Sequence, residues 1–268
     1  MSQKLYFITY GTSPEFDISK KHLVSLVKYS GLFEKTFSYD FNDIENDFIQ
    51  KYEKILTNKR GGGYWLWKIN IIKQTLNIIK KNDILLYMDA GSSFNINGKK
   101  RFLEYIELLN QEKVVGNFRF ESEKHHIEKH WTSKELFSYF DINSESPIAT
   151  STQFEAGHLL LKKNDHTEEL LNNFLEVIDY DPNLITDYYN KTQQIEDFKE
   201  CRHDQSILSI LSKKMGCVSV ENETDFRFRK NIQYSYPILA VRKKGHKNKD
   251  RLKYTIFSSY YKKRPTYF

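Results

Sequence analysis

Asp83-Ile84-Leu85-Leu86-Tyr87-Met88-Asp89-Ala90-Gly91 decides how this chain folds. Five consecutive apolar residues are too few for a helix of ordinary length and suit a strand buried on both faces. The run stops at an acid followed by two small residues, which sets the Asp89 carboxylate at the strand's C-terminal end with little bulk after it. Upstream, Trp65, Ile69, Ile72, Leu76 and Ile79 recur at steps of four and three, which predicts a helix of about four turns entered from Arg60-Gly61-Gly62-Gly63. In that helix Trp65 belongs to the core stripe, while Trp67 lies off it and is freer to line a pocket.

Further outward the same alternation continues. Lys4 to Tyr10 is a strand running into the turn cluster Gly11-Thr12-Ser13-Pro14, and a helix follows, ending near Gly31. Arg101 to Gln111 reads as a helix, Lys113 to Phe118 as a strand and Ser133 to Phe140 as a short helix. Gly157 to Lys162 is a strand and Thr167 to Ile178 a helix. Pro182 to Glu200 is partly helical, Asp204 to Lys214 a helix and Cys217 to Val220 a short strand. Alternating elements of this kind predict an α/β layer fold with ligands at the carboxyl ends of the strands.

Composition narrows the function classes. The chain has 268 residues, 39% of them hydrophobic, enough for a substantial core and too many for a disordered polypeptide. Cys201 and Cys217 are too few for a disulfide scaffold, which points to a reducing, cytoplasmic setting. The apolar runs are far too short to cross a bilayer, and residues 1–10 lack the pattern of a secretory leader. Residues 242–268 carry ten basic residues against Asp250 alone, so a formal charge of +9 sits there and the first 241 residues carry −3 of the net +6. Interleaved Tyr254, Phe257, Tyr260, Tyr261, Tyr267 and Phe268 suit that tail to an anionic membrane surface or a nucleic-acid backbone. The negative balance of residues 1–241 argues against a nucleic-acid-binding module, the principal non-enzymatic alternative. A nucleotidyltransferase is the second alternative, although the triple glycine lies at residues 61–63 and not beside the first strand.

The chemistry expected at such a strand end is that of an anionic leaving group. An acid followed by Ala90 and Gly91 leaves room for a divalent cation and a diphosphate to approach the backbone, and nearby Lys or Arg neutralises the charge that develops on departure. His203-Asp204-Gln205 places a costly polar cluster before an apolar helix. Asp204 serves there either as a helix cap or as a functional acid. His126 and His130 stand four apart, a helical spacing that can hold zinc, but no His-Glu-x-x-His motif accompanies them.

Tyr87-Met88-Asp89-Ala90-Gly91 resembles the Asp-x-Asp strand end of the GT-A nucleotide-sugar glycosyltransferases, with Gly91 in place of the second acid. Phe154-Glu155-Ala156-Gly157-His158 is similar to the Phe-Asn-Ala-Gly segment of their retaining group, which includes glycogenin and bacterial lipopolysaccharide galactosyltransferases. His203-Asp204-Gln205-Ser206-Ile207-Leu208 is similar to that group's Asp-Gln-Asp-x-Leu segment. The Gly-Tyr-Trp-x-Trp-Lys run also looks like bacterial and viral surface-polysaccharide transferases. Over about residues 4–215 the resemblance implies one GT-A-like Rossmann-type domain with a mixed sheet, here residues 1–241, followed by the basic tail. It implies transfer of a hexose from a nucleoside-diphosphate sugar, such as a UDP-sugar, to a saccharide or lipid-linked saccharide acceptor. Thr9, Tyr10 and Gly11 would cradle the nucleotide, Tyr10 by stacking on the base. Arg60, Lys68, Asp89, Ala90, Gly91, Gly157 and His203 would contact the donor, and Asp89 with His246 would hold Mn2+ or Mg2+. Asp204, Gln205 and Glu155 would address the reacting sugar, Asp204 or Glu155 serving as base if the reaction inverts. The sequence alone leaves the retaining and inverting courses open.

Overall fold

The computed structural model describes residues 3–225 and 235–241. The strands are β1 (Leu5–Tyr10), β2 (Lys35–Tyr39), β3 (Ile84–Met88), β4 (Ser93–Phe94), β5 (Asn117–Phe120), β6 (His158–Lys162), β7 (Val218–Val220) and β8 (Ile238–Leu239). The helices are α1 (Pro14–Tyr29), α2 (Asn46–Lys51), α3 (Glu53–Leu56), α4 (Gly61–Tyr64), α5 (Trp67–Ile78), α6 (Lys99–Gln111), α7 (Lys134–Tyr139), α8 (Pro147–Thr150), α9 (Asp165–Tyr180) and α10 (Asp204–Met215). The α/β class and the mixed central sheet expected from the sequence are those observed.

Six strands form that sheet in the order β2-β1-β3-β6-β5-β7, and only β6 runs against the others. β3 is central and buried at every position. Because side chains alternate across a strand, its residues divide between two cores. Ile84, Leu86 and Met88 pack with Leu23 and Val27 of α1 and with Phe102 and Tyr105 of α6. Leu85 and Tyr87 pack with Ile69 and Ile72 of α5, Phe174 of α9 and Ile207 of α10. Each such buried aliphatic side chain contributes about 1.5–3 kcal/mol. β4 and β8 form a separate antiparallel ribbon that sets Ala240 beside the end of β3.

Three local expectations change. The strand expected at Lys113 to Phe118 starts at Asn117 and runs to Phe120, because Gly116 is pinned to the start of α9: its carbonyl accepts from Thr167 Oγ1 at 3.0 Å and Val114 stays exposed. β2, half-exposed at the sheet edge beside β1, lacks the clean period that marks a strand in sequence. The third change concerns Trp65. From Gly61 to Trp65 every φ is positive, so α4 is a single turn wound left-handed, and the right-handed helix begins only at Trp67. Trp65 therefore leaves the core stripe and lies half-buried over His203, with ring centroids 5.5 Å apart. Trp67, 5% exposed, packs in the core and also borders the cleft described below, as Trp65 does, so the contrast expected between them is not observed.

Glycine is required at 63. With φ at +98°, a Cβ there would stand 2.6 Å from the Leu56 Cα. Gly63→Ala is expected to cost on the order of 1–3 kcal/mol, read as a lower denaturation midpoint in urea at unchanged slope.

Candidate active site

Asp89 ends β3, Asp204 opens α10, and Lys68 is the second residue of α5. The sheet order brings these three ends together. Lys68, 1% exposed, extends its Nζ to Asp204 Oδ2 at 2.5 Å, to the Ala156 carbonyl at 2.9 Å and toward Asp89 Oδ1 at 3.9 Å. Two of the ammonium's hydrogens go to the Asp204 carboxylate and the Ala156 carbonyl, and Asp89 adds a longer-range ion pair. The Tyr87 hydroxyl donates to Asp89 Oδ1 at 2.5 Å, and the Tyr87 ring lies 5.0 Å from the same Nζ. Burial pushes the Asp204 carboxyl up to about 6, Lys68 opposing the shift and Asp89 adding to it. Burial and the Asp89 charge push the Tyr87 phenol well above its ordinary value.

These groups border a cleft of about 660 Å³ that runs past the carboxyl ends of β1 and β3. Its floor is close-fitting. The Asp89 N–H donates to the Gly157 carbonyl at 2.8 Å, and a Cβ at 157 would lie 3.2 Å from Asp89 Oδ2. Tyr10 and Gly11 form the far wall, where one face of the Tyr10 ring stacks on Trp67 with centroids 3.7 Å apart. Thr9 differs from its neighbours: it is fully buried away from the cleft wall, and its hydroxyl has no hydrogen-bond partner among the described residues.

At the rim, Arg60 is held by Asp187 at 2.8 Å and Glu200 at 2.9 Å. His203 is buried, with φ at +57° and its Nδ1 hydrogen-bonded to the Ile185 carbonyl at 2.8 Å. Burial, with Arg60 adding, pulls its imidazole down to about 4, so the ring is neutral at pH 7. Gln205 donates through its side-chain amide to Gln153 at 2.6 Å, and Gln153 donates in turn to the fully buried Glu128 at 2.8 Å. Glu155 reaches the cleft wall but has both oxygens engaged, by His158 at 2.8 Å and Thr224 at 3.0 Å.

Among the described residues that the glycosyltransferase resemblance singles out, all but Thr9 border this one cleft. His246 lies outside the described residues. Asp89 is a half-exposed carboxylate with one oxygen held by Tyr87, a donor set that fits Mg2+ or Mn2+ bound through one protein carboxylate, phosphates and water. The His126–His130 helical face does not form, since residues 128–130 make a single 3-10 turn. His125 and His126 gather instead with Glu123, on a turn that is not part of the cleft lining.

Sequence reasoning missed Tyr87, Ser92, His158 and Arg202, all of which line the cleft. Tyr87 was legible: two residues before Asp89 on a strand, it shares that residue's face. His158, a polar residue opening an apolar strand, was a weaker signal.

No protein-family model matches the sequence, and no curated protein matches it. Among solved structures, the fold is similar to a glycosyltransferase involved in glycosylation of the major capsid of PBCV-1, with a TM-score of 0.54 at 10% identity over 95% of this chain and 99% of that one. Mouse xyloside xylosyltransferase 1 (TM-score 0.43, 11% identity, 82% and 85% covered) and the galactosyltransferase LgtC with donor and acceptor sugar analogues (0.42, 10%, 87% and 86%) are more distant. The chain has a GT-A glycosyltransferase fold.

A buried acid that keeps its proton favours the folded state at low pH. For Asp204 that contribution is full below the ordinary value of 3.8 and is lost as pH rises through about 6. Lys68→Met removes the opposing charge, so it is expected to destabilise by about 3–5 kcal/mol at pH 7 and by less at pH 4, measured by denaturation at the two pH values. Equal losses at both would show that the Lys68–Asp204 pair does not carry the effect.

Proposed function

We propose that this protein is a glycosyltransferase that moves a hexose from a nucleoside-diphosphate sugar to a saccharide acceptor in the synthesis of a surface polysaccharide or lipopolysaccharide. The observation that carries this is the convergence of Asp89, Lys68 and Asp204 on one cleft that Tyr10 and Gly11 also line. That arrangement suits a ligand with a flat base at one end, a diphosphate in the middle and a polar ring at the other.

In this reading the nucleotide lies along Tyr10 and Gly11, and the diphosphate lies against Ala90 and Gly91, where the backbone can be approached closely. Arg60 and Lys68 supply positive charge from the side of α5 and its preceding turn. A magnesium or manganese ion bound by Asp89, with His246 as a further candidate ligand, would neutralise charge on the departing diphosphate. Transfer breaks the bond from the anomeric carbon to the phosphate oxygen and forms one to an acceptor hydroxyl, whose proton leaves with the diphosphate. Asp204 is fixed by Lys68 and buried, which suits it to stabilise positive charge on the sugar ring. Asp204 and Glu155, the two acids that would serve as acceptor base, are both engaged by other side chains, so a retaining course is favoured. Gln205, steadied by Gln153, faces the same space and can orient a sugar hydroxyl.

No helix among the described residues is long and apolar enough to cross a membrane. The basic aromatic tail, residues 242–268, lies outside the described residues. In the proposed role it holds the enzyme at the cytoplasmic membrane face, where lipid-linked acceptors are presented.

Thermal-shift measurements with UDP, GDP and their hexose conjugates, with and without manganese, test the donor class. A true donor at a hundredfold excess over Kd adds about 2.7 kcal/mol, and Asp89→Asn is expected to abolish the manganese-dependent part of the shift. A full shift in that variant rejects Asp89 as the metal's residue. Truncation after Val241 is expected to end binding to vesicles rich in anionic lipid; unchanged binding by the folded, shortened chain removes the tail's membrane role.

A further inference from the structure

A chain of four polar side chains runs from the cleft wall inward. Ser92 follows the Asp89-Ala90-Gly91 turn, which its own N–H closes onto the Asp89 carbonyl at 2.9 Å. Its hydroxyl lies 2.8 Å from Nε2 of His158, the first residue of β6. The other ring nitrogen, Nδ1, lies 2.8 Å from Glu155 Oε1, and the Thr224 hydroxyl donates to Glu155 Oε2 at 3.0 Å. Ser92, His158 and Thr224 are each no more than 4% exposed. The Arg119 guanidinium, itself buried, donates to the Glu155 backbone carbonyl at 2.7 Å and holds that residue from below.

The direction of these bonds follows from what each group can do. An ionised carboxylate only accepts, so the Thr224 hydroxyl and the His158 Nδ1–H both point at Glu155. In a neutral ring that tautomer leaves Nε2 as a bare lone pair, and the Ser92 hydrogen is drawn to it. With its single hydrogen committed, Ser92 Oγ has only lone pairs left for a ligand in the cleft it lines. A serine hydroxyl ordinarily rotates to suit either a donor or an acceptor; this one is set.

We propose that Ser92 is a fixed hydrogen-bond acceptor that reads one hydroxyl of the bound sugar, and that Glu155 is a positioning residue acting on it through His158. The inference rests on the nucleotide-sugar reading of the cleft and adds a specificity determinant to it. A sugar that presents a hydroxyl donor to Ser92 gains a hydrogen bond. One with the hydroxyl missing or inverted leaves a buried acceptor unpaired, and that penalty discriminates between sugars better than lost packing does.

The test is titration calorimetry of the full chain and Ser92→Ala with UDP, GDP, UDP-glucose, UDP-galactose and GDP-mannose, followed by monodeoxy analogues of whichever conjugate binds. Ser92→Ala is expected to leave the affinity for the free nucleoside diphosphate unchanged and to weaken the nucleotide-sugar about three- to tenfold. One monodeoxy analogue should bind the two proteins equally. Thr224→Val, which loosens only the far end of the chain, should show the same split in smaller degree, with a lower melting temperature from the Glu155 oxygen it leaves unpaired. Equal weakening of diphosphate and sugar conjugate in Ser92→Ala, or none in either, overturns the assignment while the donor class stands. Absence of any binding by the wild-type chain overturns the nucleotide-sugar reading and this inference with it. Intact mass after incubation with donor is expected to be unchanged; a hexosyl adduct on Ser92 would make it a nucleophile and not an acceptor.

Discussion

A single buried ammonium holds the cleft in shape. Lys68 is desolvated on a helix packed into the core, and a charge in that position is tolerable only where opposite charge meets it at short range. Asp204 and Asp89 supply that charge from α10 and β3, so three elements far apart in sequence are fixed to one another at the place where their ends meet. The arrangement is mutual. Without Lys68 the two carboxylates would face each other across a low-dielectric gap, and without them the lysine would be driven to shed its proton or leave the core.

The sheet order explains why the meeting point is where it is. β3 lies between parallel β1 and antiparallel β6, so the end of β3, the end of β1 and the start of β6 open onto one edge. Groups at that edge are backed by two hydrophobic cores yet face solvent on one side. Asp89 stands half-exposed while Asp204, a short distance away, is nearly covered. The unlike exposure equips one to meet a cation or solvent-borne ligand and the other to act on charge developing inside the cleft.

The left-handed turn at Gly61–Tyr64 adds a second constraint. Tyr64 and Trp65 adopt a backbone conformation that side chains beyond glycine resist by about 1–2 kcal/mol per residue. The strain sets Trp65 over His203, and Tyr64 packs on the same ring with centroids 5.0 Å apart. His203 itself has positive φ, so strained backbone held by aromatic packing borders the cleft on both sides of this contact. The three consecutive glycines make the turn possible, and the contacts beyond them decide which way it faces.

The sequence by itself determined the layer class, the buried strand from Ile84 to Met88, the helix behind it and the acid at the strand's end. These follow from hydrophobic period and from residue types that interrupt it, which are local properties. It also marked Asp204, because a polar cluster set before an apolar helix is costly enough to show, while Glu155 stood out only through the resemblance of its segment to a family motif. Tertiary structure alone decided what those residues do to one another. Lys68 looks like any lysine on a helix until α10, 136 residues later, brings Asp204 against it. Glu155 looks like an open acid until Thr224 and His158 close on it, and Trp65 fits the helical period although the backbone before Trp67 winds the opposite way. Periodicity records which side of an element is buried; it does not record which distant group will be buried there with it, and the chemistry of this cleft depends on those partners.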